Sequence, residues 1–174
     1  MDSAKASAHS TSALTKLFKG IVNFVKRPKL LFWLFIALNL VPNFCLLFTE
    51  PLSGLGNTIL ILLPLGVYMV VVSLFKRAGL MQLILIPVLI LHAFQLVLFY
   101  LFGESVIAVD MFLNLPTTNA SEAGELLGNI WPSIIIVCVL YIPVIVLASI
   151  AVHYKVKRTA VFRKHMITWG IIFF

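Results

Sequence analysis

The sequence predicts an all-α fold, a polytopic helical membrane bundle of four complete transmembrane helices plus a truncated fifth, with a helical loop between helices 3 and 4. Three observations predict it. The 174 residues are 61% hydrophobic and 11% charged, with a mean hydropathy of +1.10, whereas a soluble domain carries about 45–50% apolar and about 25% charged residues. Four long apolar runs are free of Asp, Glu, Lys and Arg. The 13 Lys and Arg residues all fall on one side of the path those runs trace. The composition excludes a disordered or collagen-like chain, and two cysteines cannot make a disulfide framework.

A crossing needs about 20 apolar residues to cover a hydrocarbon core of about 30 Å. Leu30 to Phe48, Ile59 to Phe75, Leu80 to Phe102 and Ile134 to Val152 meet this requirement or fall a residue or two short. A fifth run starts near Met166 and stops at Phe174, less than half a crossing. The sequence is therefore expected to end inside a span. Pro64, Pro87 and Pro143 lie within spans and are expected to kink them.

Topology follows from the cations. Lys5, Lys16, Lys19, Lys26, Arg27 and Lys29 precede helix 1, Lys76 and Arg77 separate helices 2 and 3, and Lys155, Lys157, Arg158, Arg163 and Lys164 follow helix 4. The opposite loops hold Glu50, Glu104, Asp110, Glu122 and Glu125 and no cation. The positive-inside rule then puts the amino terminus in the cytoplasm and the truncated fifth helix heading outward, which in a bacterium means toward the periplasm. Residues 1–29 form a cytoplasmic tail, and 30–174 the transmembrane domain, with an outer loop at 103–132 and a cytoplasmic loop at 153–165. Topology explains every cation, so the net charge of +7 does not point to nucleic acid. The basic stretch before helix 1 reads as an uncleaved signal anchor, because its apolar part is too long and lacks a small-x-small cleavage site. Trp33, Tyr154 and Trp169 near inner helix ends, with Tyr100 and Trp131 near outer ones, fit interfacial aromatic belts.

Within the tail, Leu14, Leu17, Phe18, Ile21, Val22 and Val25 recur at helical spacing, while Lys16, Lys19, Asn23, Lys26 and Arg27 take the other face. That pattern predicts an amphipathic helix on an anionic lipid surface. Asn39, Asn43, His92, Gln95 and Ser149 are costly in hydrocarbon unless they face another helix. Asn39 and Asn43 are expected to meet His92 and Gln95 as interhelical glue. A proton relay would need an acidic partner, and no span contains one. Cys45 and Cys138 both lie toward outer helix ends and are expected to be free thiols. No metal-ligand spacing or phosphate loop is present.

The loop from Gly103 to Pro132 is too long and too apolar for a connector. Val106 to Leu113 predicts a surface helix stopped by Pro116, and Asn119 with Glu122 three residues on is a capping-box signature for a second short helix, Ala120 to Leu127. Glu122 reads as a cap on that ground alone. Asn114, Thr118 and Glu122 also stand at successive intervals of four, and a carboxylate beside an amide and a hydroxyl suits an ammonium headgroup.

The stretch VDMFLNLPTTNASEAGELL, Val109 to Leu127, resembles the membrane domain of bacterial phosphoethanolamine transferases, the family of lipid A modifying enzymes and mobile colistin-resistance proteins. Its N-x3-T-x3-E pattern appears as Asn114, Thr118 and Glu122, and the expected architecture is similar from about Leu30 onward. The resemblance implies an inner-membrane protein in which those three residues contact the donor, phosphatidylethanolamine. It implies a periplasmic sulfatase-like domain after helix 5, where a threonine at a zinc site passes phosphoethanolamine to lipid A or another envelope acceptor, the modification behind polymyxin resistance. This chain carries no such domain, no zinc ligands and no catalytic residues, and is expected to be inactive alone. The alternative is a stand-alone small helical membrane protein, a transporter subunit or assembly partner.

Overall fold

The computed structural model describes residues 15–49, 52–103 and 120–174, with residues 102, 120–127 and 129 through their backbone alone. Within them the regular elements are helices: α1 over 15–25, α2 Pro28–Asn39, α3 Val41–Thr49, α4 Gly54–Ser73, α5 Leu80–Ile84, α6 Ile86–Phe102, α7 Ala120–His153 and α8 Ala160–Phe173. Three stretches are long and apolar enough to cross a membrane. They are Pro28–Thr49 (22 residues, α2 and α3 together), Gly54–Ser73 (20 residues) and Ile130–His153 (24 residues) within α7.

Proline explains where the observed helices depart from the apolar runs. A proline in a helix interior removes one N–H and crowds the carbonyl four residues back. Pro42 divides the first run at Leu40, and Pro87 divides the third at Leu85, leaving α6 with 17 residues. The breaks are slight: Phe44 N–H still donates to Leu40 O at 3.0 Å, and Leu89 N–H to Leu85 O at 2.9 Å. Pro64 and Pro143 stay inside α4 and α7 without dividing them.

Two boundaries differ from expectation. α4 starts at Gly54, five residues before Ile59, because the Ser53 side chain caps it and accepts from Gly56 N–H at 3.2 Å. The short helix expected over Ala120 to Leu127 is instead the first part of α7, which runs 34 residues without a stop. Pro132, like Pro143, lies inside α7 without dividing it. At about 1.5 Å per residue, α7 is about 51 Å long, far more than a hydrocarbon core of about 30 Å.

α2 stands between two core clusters. Its Leu31 and Phe35, one turn apart, join Val25 of α1, Leu89 of α6 and Val144 and Ala148 of α7. Phe32 and Ile36, on the adjacent face, join Met69 and Val72 of α4, with Phe162 and Met166 of α8 packed alongside. The outward faces stay apolar: Leu55, Leu91 and Val139 are 73%, 66% and 70% exposed, as lipid contact requires.

α4 and α8 pair closely because two glycines meet. A Cβ on Gly170 would lie 2.8 Å from Gly66 O and 2.8 Å from Val70 Cγ2, and one on Gly66 only 2.6 Å from Gly170 O. Small residues at such crossings let membrane helices approach to backbone contact. Gly170→Val is therefore expected to lower stability by about 1–3 kcal/mol through overpacking. Thermal unfolding in nanodiscs measures it, with Gly20→Ala, which meets nothing within 4 Å, expected to be neutral or slightly stabilising.

Candidate functional site

Asn114 and Thr118 lie outside the described residues, as do Asn119 and the surface helix expected before Pro116. Glu122 is the third residue of α7, in its first turn. A carboxylate there is favoured by the unpaired N–H groups and the positive end of the helix dipole. Its backbone lies eight residues beyond Ile130, where the apolar span begins, or about 12 Å further along the helix axis. The structure therefore gives Glu122 a helical backbone position beyond the apolar span.

Inside the bundle Asn39, Asn43, His92 and Ser149 are hydrogen-bonded, with partners other than those expected, while the buried Tyr141 hydroxyl has none among the described residues. Asn39 donates to Gln82 Oε1 at 3.1 Å and back to Phe35 O at 2.6 Å. Asn43 donates to Leu60 O at 3.3 Å, tying α3 to α4. His92 Nε2 meets the hydroxyl of Tyr68 at 3.0 Å, and its ring stands 6.5 Å from that of Tyr141. Ser149 returns its hydroxyl to Ile145 O at 2.8 Å. The role as interhelical glue holds for Asn39, Asn43 and His92. The predicted pairing is not seen: Gln82, not His92, lies beside Asn39. Cys45 and Cys138 are both free thiols, and no group of three His, Cys, Asp or Glu among the described residues could hold a metal.

The cations gather at one end of the bundle. α7 ends in a Schellman turn: Lys155 takes a positive φ of 51°, Val156 N–H donates to Ala151 O at 3.0 Å, and Lys155 N–H donates to Val152 O at 3.0 Å. The chain then lies beside the turn after α4, with Ala78 N–H donating to Val156 O at 2.8 Å and Arg158 N–H to Lys76 O at 2.9 Å. Gly79, at φ +88°, makes that fit possible, since a Cβ there would lie 2.5 Å from Ala148 O. Two guanidinium groups close the C-terminus of α4. Arg158 donates to Val72 O, and Arg163 donates to Ser73 O at 2.7 Å and to Leu74 O.

Arg158 is 5% exposed and lies over the Phe32 ring, its Cζ 5.3 Å from the centroid. Burial, and then the neighbouring Arg163 cation, pull its pKa down to about 10. The charge therefore persists throughout the physiological range.

No family profile, curated protein or solved structure matches the chain. Of the residues that organise the interior, Tyr68, Gln82, Tyr141, Arg158 and Arg163 were not singled out by the sequence. Tyr68 carried a signal, because a tyrosine in mid-span, away from the interfacial belts, calls for a polar partner; Tyr141 takes up a ring contact with His92 and no hydrogen bond. The arginines carried none, being indistinguishable in sequence from other flanking cations.

Two outcomes are expected. A double-mutant cycle of Tyr68→Phe and His92→Phe should give a coupling of about 0.6 kcal/mol, the usual size of a hydrogen bond between membrane helices, read from unfolding in mixed micelles. Arg163→Gln should lower stability by about 1.5–3 kcal/mol by removing the charged donor from two carbonyls, read by the same titration.

Proposed function

We propose that this chain is the membrane anchor and donor-lipid-binding domain of a phosphoethanolamine transferase. In this reading α2–α3, α4, α5–α6 and α7 are four complete crossings of a bacterial inner membrane, and α8 begins a fifth. The basic end faces the cytoplasm and residues 103–132 face the periplasm.

One observation carries the reading: the N-x3-T-x3-E pattern of Asn114, Thr118 and Glu122, whose last member is held on the stretch of α7 that extends past the apolar span. A headgroup ammonium presented at the membrane surface would find its countercharge in Glu122 and hydrogen-bond partners in Asn114 and Thr118. Phosphatidylethanolamine is the donor in this reading. A following periplasmic domain, with its zinc and threonine nucleophile, would take phosphoethanolamine from it, leave diacylglycerol, and pass the group to lipid A or another envelope acceptor. A transporter subunit or assembly partner, the alternative, would draw on the polar residues around His92. Their pairing across helices, in spans without a carboxylate, favours packing over a pathway.

The test is lipid binding by the full chain in nanodiscs, with phosphatidylethanolamine compared against phosphatidylglycerol. The parent chain is expected to prefer phosphatidylethanolamine, and Glu122→Ala to lose that preference with its unfolding temperature unchanged. Asn114→Ala and Thr118→Ala should each weaken it by about 0.5–1.5 kcal/mol, one neutral hydrogen bond apiece. Absence of any preference in the parent chain would leave Glu122 as a helix cap and overturn the reading.

A further inference from the structure

We infer that α1 docks on the membrane through anionic phospholipid, and that this lipid acts as a stabilising ligand of the bundle. The inference stands independently of the proposed function. It starts from a missing counter-charge: residues 15–49, 52–103 and 128–174 contain no Asp or Glu, yet they hold all the cations except Lys5. No carboxylate in those stretches can neutralise the basic end. Arg158 and Arg163 turn to helix carbonyls, while Lys26 and Lys29 lie 5.9 Å from the rings of Tyr154 and Phe162. Lys16 and Lys19 are exposed.

The geometry of α1 supplies the second half of the argument. Its C-terminal half is anchored: Val25 is fully buried, and Ile21 and Phe24 pack against the cluster that contains Leu31, Ala148 and Ala151. In its N-terminal half Leu17 and Phe18 stand 64% and 54% exposed. The chain bends at Arg27 and Pro28 directly into the span Pro28–Thr49, so α1 sits at the level where that span leaves the hydrocarbon. Two large apolar side chains flanked by lysines at that level match the acyl boundary and phosphate layer of an anionic leaflet. Because the same helix places Val25 in the core, lipid that holds α1 down also holds the core together, by ordinary linkage between binding and folding.

The experiment uses the full chain in nanodiscs of phosphatidylcholine, with or without phosphatidylglycerol. A nitroxide placed by Phe18→Cys, in a Cys45→Ala, Cys138→Ala background, reports depth through its collisions with oxygen and with a water-soluble nickel chelate. Unfolding temperature is followed in the unlabelled chain. The docked position at residue 18 and a raised unfolding temperature are both expected to appear with phosphatidylglycerol and to fade at high salt. In the K16Q/K19Q variant the docking equilibrium should fall about fivefold for each lysine removed, while unfolding in phosphatidylcholine alone stays as in the parent. Equal depth and equal unfolding temperature in the two lipids would overturn the inference. So would a phosphatidylglycerol effect undiminished in K16Q/K19Q, or a disulfide crosslink between two copies of the unlabelled Phe18→Cys chain, which would show that a second copy covers the helix.

Discussion

The bundle depends on how the open end of α4 is closed. The last carbonyls of a helix have no partner within it, and together they form the negative end of the helix dipole. Here Val72, Ser73 and Leu74 receive two guanidinium groups from a segment almost ninety residues away. In a chain whose described side chains include no carboxylate, these carbonyls do the work that Asp or Glu does in a soluble core. The closure also makes neighbours of the turn after α4 and the turn after α7, which the bridge between Arg77 and Lys157 then joins. Arginine suits the task because its planar fork can reach several carbonyls while its face rests on an aromatic ring.

That closure sets the register of α8. Arg163 bonds to Ser73, and Gly170 meets Gly66, so the contact moves seven residues along each helix, in opposite directions. Seven residues are about two helical turns, so the face that begins at the arginine still points at its partner when it reaches the glycine. A charged contact and a close van der Waals contact two turns away are thus two ends of one seam. A slip of one residue would separate both.

Much of this could be read from the sequence, and what could not has physical causes. Apolar runs without charge located the helices because unpaired backbone cannot sit in lipid. The sorted cations anticipated the basic end, and the spacing of Leu17, Phe18, Ile21 and Val25 anticipated α1. The unread details were settled by local chemistry or by distance. Ser53 and Pro42 act within a turn, and a hydropathy window averages over them. Asn39 pairs with Gln82 rather than His92, a choice among polar residues of one apolar segment that spacing alone does not make. Of the outer-loop triad, only the backbone position of Glu122 can be compared with the reading, since Asn114 and Thr118 lie outside the described residues.

The length of α7 has a mechanical consequence. It is one continuous rod from the Schellman turn at Lys155 to its first turn at Ala120, and its basic end is fastened to the turn after α4. The rod cannot shorten when the surrounding bilayer becomes thinner. Without added tilt, every ångström lost from the hydrocarbon lifts the far tip by an ångström relative to the nearby leaflet, and tilting the rod lowers it again. In a bilayer crossed by Ile130–His153, the height of the start of α7 above the lipid surface would follow local membrane thickness.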